Sequence, residues 1–227
     1  MRLLLPALVV TAVAAPALVQ AQEPEEQEEE VARPGPFLAA SVGGGRLGDV
    51  EPGLTGADPG LRGHLEVGYS DGRYLSGALS VALGRTYYDN TVPPPEMLQP
   101  DASVHVNRVG FGAVVEGRLP LGRLAPTLGA GAYLDRMSVA ARGAALGIRV
   151  DYFETTDVAV GFEARAGFDV RVHDAVELGL RAGWHWSRTD LADLTGGSEW
   201  LSGPWIELRV TFDASGFRMA TGPARRR

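Results

Sequence analysis

Val158-Ala-Val-Gly-Phe-Glu-Ala-Arg-Ala-Gly-Phe-Asp-Val-Arg-Val172 is the stretch on which the reading of this chain turns. Every even-numbered position is apolar, and every odd-numbered one (Ala159, Gly161, Glu163, Arg165, Gly167, Asp169, Arg171) is charged or small. A helix would scatter those residues around its circumference, whereas a strand sends alternate side chains to opposite faces. Strict period two over such a length therefore predicts a long strand with one oily and one ionic face.

Working outward from it, the same alternation recurs in eight segments: Phe37 to Gly44, Leu61 to Tyr69, Tyr74 to Tyr87, Val104 to Leu119, Leu124 to Arg136, Val158 to Val172, Ala175 to Ser187 and Trp205 to Phe212. Hairpin-length links, Ser70-Asp71-Gly72-Arg73, Pro120-Leu121-Gly122-Arg123 and His173-Asp174, join segments two to three, four to five and six to seven. The other four links are long: Gly45 to Gly60, Tyr88 to Ser103, Met137 to Asp157 and Arg188 to Pro204. Alternating short and long connections belong to an up-and-down barrel with tight turns at one end and loops at the other. Greek-key sandwiches mix their link lengths irregularly.

The alternation also sorts the faces. One face carries sets such as Leu61/Leu65/Val67/Tyr69, Leu75/Leu79/Val81/Leu83, Leu124/Leu128/Ala130/Leu134 and Ile206/Leu208/Val210/Phe212. The other carries Arg62, Glu66, Arg108, Glu116, Arg118, Asp135, Glu163, Arg165, Asp169, Arg171, Glu177, Arg181, Glu207 and Arg209, seven cations against seven anions. Matched charges interrupted by glycine suit a cramped, ion-paired interior, while a water-facing surface would carry an unbalanced mixture with Lys, Ser, Thr and Asn. Aromatic residues gather near the segment ends, with Tyr87, Tyr88, Trp184, Trp186, Trp200 and Trp205 toward the long links and Tyr69, Phe168 and Phe212 toward the short ones. Two such girdles match the two interfaces of a bilayer. The expected fold class is thus all-β, an eight-stranded antiparallel up-and-down transmembrane β-barrel spanning residues 37–212.

The flanking sequence sets the compartment. Arg2, an apolar run from Leu3 to Val19, and small Val19 and Ala21 read as a secretory signal peptide over residues 1–21. No other run approaches the roughly 18 apolar residues of a membrane helix, so any spanning falls to strands. Residues 22–36 are acidic and proline-bearing and are expected to be a disordered leader, and residues 213–227 a short periplasmic tail. The chain's net charge of −7 owes much to Glu23, Glu25, Glu26, Glu28, Glu29 and Glu30. With no basic stripe, nucleic acid is not an expected partner. Zero cysteines exclude disulfides, thiolate metal sites and a thiol nucleophile. The expected location is the cell outer membrane, after removal of the signal peptide.

At this point the chain resembles the small eight-stranded outer-membrane proteins, the family of OmpX and of the transmembrane domain of OmpA. Trp205-Ile206-Glu207-Leu208-Arg209-Val210-Thr211-Phe212 is similar to that family's assembly signal, alternating hydrophobics ending in Phe. Here Asp213 to Arg227 follow it, too short for a peptidoglycan-binding domain. The resemblance implies a barrel with both termini in the periplasm, recognised by the barrel-assembly machinery through its last strand. It further implies a monomer in contact with outer-membrane lipid and lipopolysaccharide.

Few residues suggest chemistry. His185-Trp186-Ser187 places His and Ser on one face of a strand, and Glu199 follows twelve residues after the serine. This spacing resembles the outer-membrane lipid A deacylases. The resemblance would make His185 the base, Ser187 the nucleophile and Glu199 the orienting acid. Arg188 stands where that family has Asn, and Trp184 and Trp186 on the oily face turn His185 and Ser187 inward. The alternative is an interior histidine bonded to a neighbouring carboxylate. His64 is a similar inward histidine beside Arg62 and Glu66, whereas His105 and His173 are isolated; no cluster has metal-ligand spacing, and no cofactor is expected. The long links are acidic, with Asp49, Glu51, Asp58, Asp89, Glu96, Asp101, Asp151, Glu154, Asp157, Asp190, Asp193 and Glu199, which suits either plain solvation or divalent cations at a lipopolysaccharide surface. An eight-stranded barrel is about wide enough for its own side chains. The expected role is therefore structural or surface-interacting and non-catalytic, with a lipid hydrolase or a narrow small-solute channel as alternatives.

Overall fold

The computed structural model describes residues 34–48, 54–91, 103–145, 148–189 and 199–214. The signal peptide, most of the acidic leader and the tail from residue 215 lie outside the described residues, as do Asp49, Glu51, Glu96, Asp101, Asp190 and Asp193 among the acidic loop positions named above.

Nine strands occur in chain order: β1 Gly35–Gly45, β2 Leu54–Asp58, β3 Gly60–Ser70, β4 Leu75–Thr91, β5 Ser103–Arg118, β6 Leu124–Ala145, β7 Ile148–His173, β8 Val176–Thr189 and β9 Glu199–Asp213. All pairings are antiparallel. β2 and β3 both pair with β4 and are separated by Pro59, across which the register slips by one residue, from Asp58 opposite Tyr87 to Arg62 opposite Gly84. A proline has no N–H for the ladder, so it breaks this stave in two. Counted as staves the barrel has eight, and pairing of β4 with β5 closes it.

The stagger can be traced once around the wall. Gly35 pairs with Ser70, and the path continues through Ser76, Glu116, Gly129, Arg165, Gly183 and Trp205 to Gly45, ten residues along β1 from its start. Closure with such a shear requires strands tilted by roughly 35–45° around an interior about one side-chain layer deep.

Gly72 and Gly122 adopt positive φ (80° and 64°) in the turns after β3 and β5. Asp71 closes the first of these turns by accepting from the backbone N–H groups of Arg73, Tyr74 and Leu75 at 2.7, 2.8 and 2.9 Å.

Two sequence expectations are corrected. The expected loop from Met137 to Asp157 is largely strand, since β6 and β7 pair as far as Ala145 opposite Ile148 and leave residues 146–147 between them. Long and short links therefore do not alternate without exception. The expected link from Gly45 to Gly60 contains β2.

The polarity is inside-out. Leu65, Leu79, Phe111, Leu128, Leu134 and Leu208 are at least half exposed on the outer wall, Leu79 at 73% and Leu128 at 71%. On β6 the outer apolar row runs from Leu124 to Leu134, eleven residues, close to the roughly 9–11 that a tilted strand uses to cross hydrocarbon. Exposed Tyr69, Tyr74, Phe168 and Phe212 flank this belt toward the short turns, and Tyr87, Trp184, Trp186 and Trp200 toward the other end. Trp205 and Tyr88 are corrections, because both point inward and are buried. Each shares the numbering parity of inward residues on its strand, Glu207 and Arg209 for Trp205, Ala82 and Thr86 for Tyr88.

Candidate functional site

The interior is filled from the short-turn end upward. At that mouth Glu177 accepts from Arg118 at 3.0 Å and Arg171 at 3.2 Å. Both arginines are partly exposed, and Arg118 lines an open polar vestibule together with Glu177, Asp169 and Arg209. One layer higher, Glu116 meets Arg165, Arg181 and Arg209 at 3.1, 2.9 and 3.0 Å. Arg181 also holds Asp169 at 2.8 Å, and Glu66 holds Arg209 at 2.7 Å and Arg165. Above these, Arg62 bridges Glu207 at 3.1 Å and Glu163, and its guanidinium lies 4.7 Å from the centre of the Trp205 ring. His64 Nδ1 lies 2.8 Å from Glu207 Oε2, which also accepts from the Ser41 hydroxyl at 2.5 Å.

Several of these bridges run across the lumen. Glu116 on β5 meets Arg209 on β9, four staves away, and Glu66 on β3 meets Arg165 on β7, also four staves away. In an eight-stave ring that is the opposite wall. The bonds therefore cut across the path a solute would take, and each charge finds a partner inside a space water scarcely enters.

The next polar centre toward the loop end is Asp135 on β6. Its Oδ1 accepts from Arg108 Nε at 2.9 Å, and its Oδ2 accepts from Ser187 Oγ at 2.7 Å and lies 3.0 Å from His185 Nε2. His185 and Ser187 are wholly buried. A nucleophilic serine needs its proton taken by the imidazole. Here Ser187 donates to the carboxylate instead, and Asp135 separates serine from histidine in the bonding pattern. Gly161 and Gly110 make room for this carboxylate, since a Cβ at either position would collide with its oxygens. Of Glu199 the structure gives only the backbone, opposite Thr189 at the end of the β8–β9 ladder.

Beyond Asp135 most inward positions are apolar, apart from buried Thr86 and Thr189. Leu47, Ala57, Tyr88, Val104, Val106, Met137, Val139, Ala159 and Leu201 form one buried cluster that caps the ionic core toward the loop end. Sequence reading missed this cap, although the phase of alternation carries it: Arg108 leads to Val106 and Val104, and Asp135 to Met137 and Val139. His105 is buried beside the Tyr87 ring, and His173 Nδ1 accepts from the Ala175 N–H at 3.2 Å in its turn.

The wall is closed, with a shear of ten, an aliphatic outside and a charged inside. This is the fold of the small eight-stranded outer-membrane barrels. No protein-family model and no curated protein matches the chain. Among solved structures it is similar to Neisserial surface protein A (16% identity, TM-score 0.45, covering 78% of this chain and 96% of that one). It is also similar to Ail, the attachment invasion locus protein of Yersinia pestis, in complex with the heparin analogue sucrose octasulfate (13%, 0.47, 78% and 99%). A third is the outer membrane protein OprG of Pseudomonas aeruginosa (11%, 0.47, 81% and 99%). In this barrel the candidate site residues converge on a packed interior rather than on a cleft.

Proposed function

We propose that this chain is an outer-membrane barrel with a structural or surface-interaction role and no catalysis, its lumen held shut by Arg/Glu/Asp ion pairs. The observation that carries the reading is the polarity of the wall. A band of aliphatic side chains as exposed as Leu79 and Leu128 would face water at great cost in a soluble protein, and it faces acyl chains at none. The reading has outer-membrane lipid and lipopolysaccharide against that band, and β9 offered to the barrel-assembly machinery during insertion. Both ends of the barrel chain, Gly35 and Asp213, lie at the short-turn mouth, which supports a periplasmic position for the leader and the tail. A single closed wall needs no partner strand, so the barrel is proposed to be monomeric.

The hydrolase alternative has less support, because Ser187 and His185 are buried beneath the apolar cap and both engage Asp135. The channel alternative is opposed by the cross-lumen bridges. The test is electrophoretic migration after detergent extraction and after refolding into lipid vesicles. A closed transmembrane barrel runs at one position unheated and at another after boiling, and stays with the vesicles through alkaline washing. A protein that is soluble without detergent and migrates identically before and after boiling would remove the membrane reading.

A further inference from the structure

The wall is not continuous at its loop end. The β1–β3 ladder stops at Gly45 opposite Gly60, and β2, beyond Pro59, pairs with β4. Past Gly45 the first strand stays along β9, where the Arg46 and Gly48 N–H groups donate to the Pro204 and Ser202 carbonyls at 3.1 and 2.6 Å, and on its other side the Leu47 N–H donates to the Thr86 hydroxyl at 3.2 Å. A narrow crevice, partly open to solvent, enters the wall there. Arg46, Arg62, Arg85 and Arg108 all line it, with Leu61 and Thr86, and no carboxylate is among its lining residues.

The four arginines are not equivalent. Arg62 and Arg108 come from the ionic core, where carboxylates already engage them. Arg46 and Arg85 stand exposed on the outer wall and bond neutral oxygens, the Ala57 carbonyl at 3.4 Å and Asn107 Oδ1 at 2.6 Å. The second observation is at the inner end. Arg108 is 4% exposed, and although its Nε reaches Asp135, neither Nη1 nor Nη2 has a hydrogen-bond partner among the described residues. Two buried guanidinium nitrogens without an acceptor are costly, and they call for an oxygen from outside the chain.

We propose that this crevice binds a phosphate group. Several guanidinium forks around one crevice match a tetrahedral oxyanion with two or more oxygens to share, which a single point acceptor would not. The level in the membrane agrees. Leu61, 68% exposed, marks oily surface at the mouth, and exposed Arg46 and Arg85 sit beside it, where headgroup phosphates meet acyl chains. A phosphate borne by a lipid would seat its headgroup among the arginines and lay its tail along Leu61. Inorganic phosphate would use the same arginines without the tail. The lipid form rests on the outer-membrane reading, and the free form does not.

Purified barrel in detergent is equilibrated with phosphatidic acid or with diacylglycerol of the same acyl chains and examined by native mass spectrometry. The wild type should retain phosphatidic acid and release diacylglycerol. Arg46→Gln/Arg85→Gln, which alters exposed positions and leaves the core untouched, should bind about tenfold more weakly, the effect of losing charge-assisted hydrogen bonds. Titration calorimetry with inorganic phosphate separates the two sources: binding there with no lipid preference supports the same site filled by free phosphate. Equal retention of both lipids together with no heat from phosphate overturns the proposal, and so does unchanged affinity in the double variant. Arg108→Gln, which leaves Asp135 short of a partner, is used only if its heat-shifted migration shows a folded barrel. A chain that never inserts into vesicles refutes the membrane reading, whereas one that inserts but ignores phosphate in both forms refutes this site alone.

Discussion

At the scale of single residues, Asp135 matters more than the serine and histidine that first attract notice. It accepts from Arg108 and Ser187 and meets His185, and is itself fully buried. Asp135→Ala strands a buried guanidinium, and breaking a buried pair from one side costs roughly 3–5 kcal/mol. Ser187→Ala removes one of several donors to that carboxylate, at roughly 1.5–3 kcal/mol. Urea unfolding in vesicles, followed by tryptophan emission, should separate the two variants in that order. Lipid A extracted from cells carrying Ser187→Ala should keep its full acyl complement by mass spectrometry, and a change in acylation on that substitution would restore the hydrolase. Outside the membrane, Asp71 offers a different test. The backbone N–H groups of Leu75, Arg73 and Tyr74 hold its carboxyl below the usual carboxylate range. A depressed folded pKa means that the turn's contribution is fully present above the unfolded value and is lost as pH falls through the folded one. A carboxyl titration by NMR should place the Asp71 midpoint below that of the same residue in the unfolded chain, and an equal or higher midpoint contradicts the three-donor turn.

At the scale of the strand, the row Leu124 to Leu134 on β6 makes the polarity testable. Leu128 sits at its middle, 71% exposed. On a water-facing surface Leu128→Arg would change stability by no more than about 0.5 kcal/mol. On a lipid face near the bilayer centre the same change costs about 2–4 kcal/mol. Reversible urea titration of the vesicle-inserted barrel distinguishes the two values. Strand identity and facing were legible because period two survives wherever one face meets hydrocarbon. Strand length was not. Past Leu134 the outer positions of β6 become Arg136 and Ser138, the contrast between faces fades, and the continuation to Ala145 reads as loop. The inward positions Met137 and Val139 keep the strand's phase but exchange charge for hydrocarbon, so a reader following charge loses the thread. β2 was hidden for another reason. Pro59 and the glycines around it are loop residues by composition, and only pairing with β4 makes a strand of Leu54–Asp58.

At the scale of the molecule, eight staves and a shear of ten leave an interior that the chain's own side chains must fill, and they fill it in two ways. The lower part is ionic, with bridges reaching from one wall to the opposite one, and the upper part is an apolar cap around Tyr88, Met137 and Leu201. A hydrated ion would have to displace both. Breaking Glu116 away from its three arginines would expose uncompensated buried charge, and passing the cap would strip the ion of water in a mostly apolar space. The two obstacles lie in series, so weakening one leaves the other. Planar bilayers containing the purified wild-type barrel should therefore show no unitary conductance. Leu201→Ala, which opens the cap by three carbons, should be equally silent, although such core truncations cost roughly 2–5 kcal/mol of stability. Steady, reproducible single-channel steps from the wild type would mean that the ionic layer opens as a unit, and the sealed-lumen account would then fail. Steps from Leu201→Ala alone would assign the whole barrier to the cap and leave the ion pairs a role in holding the staves together.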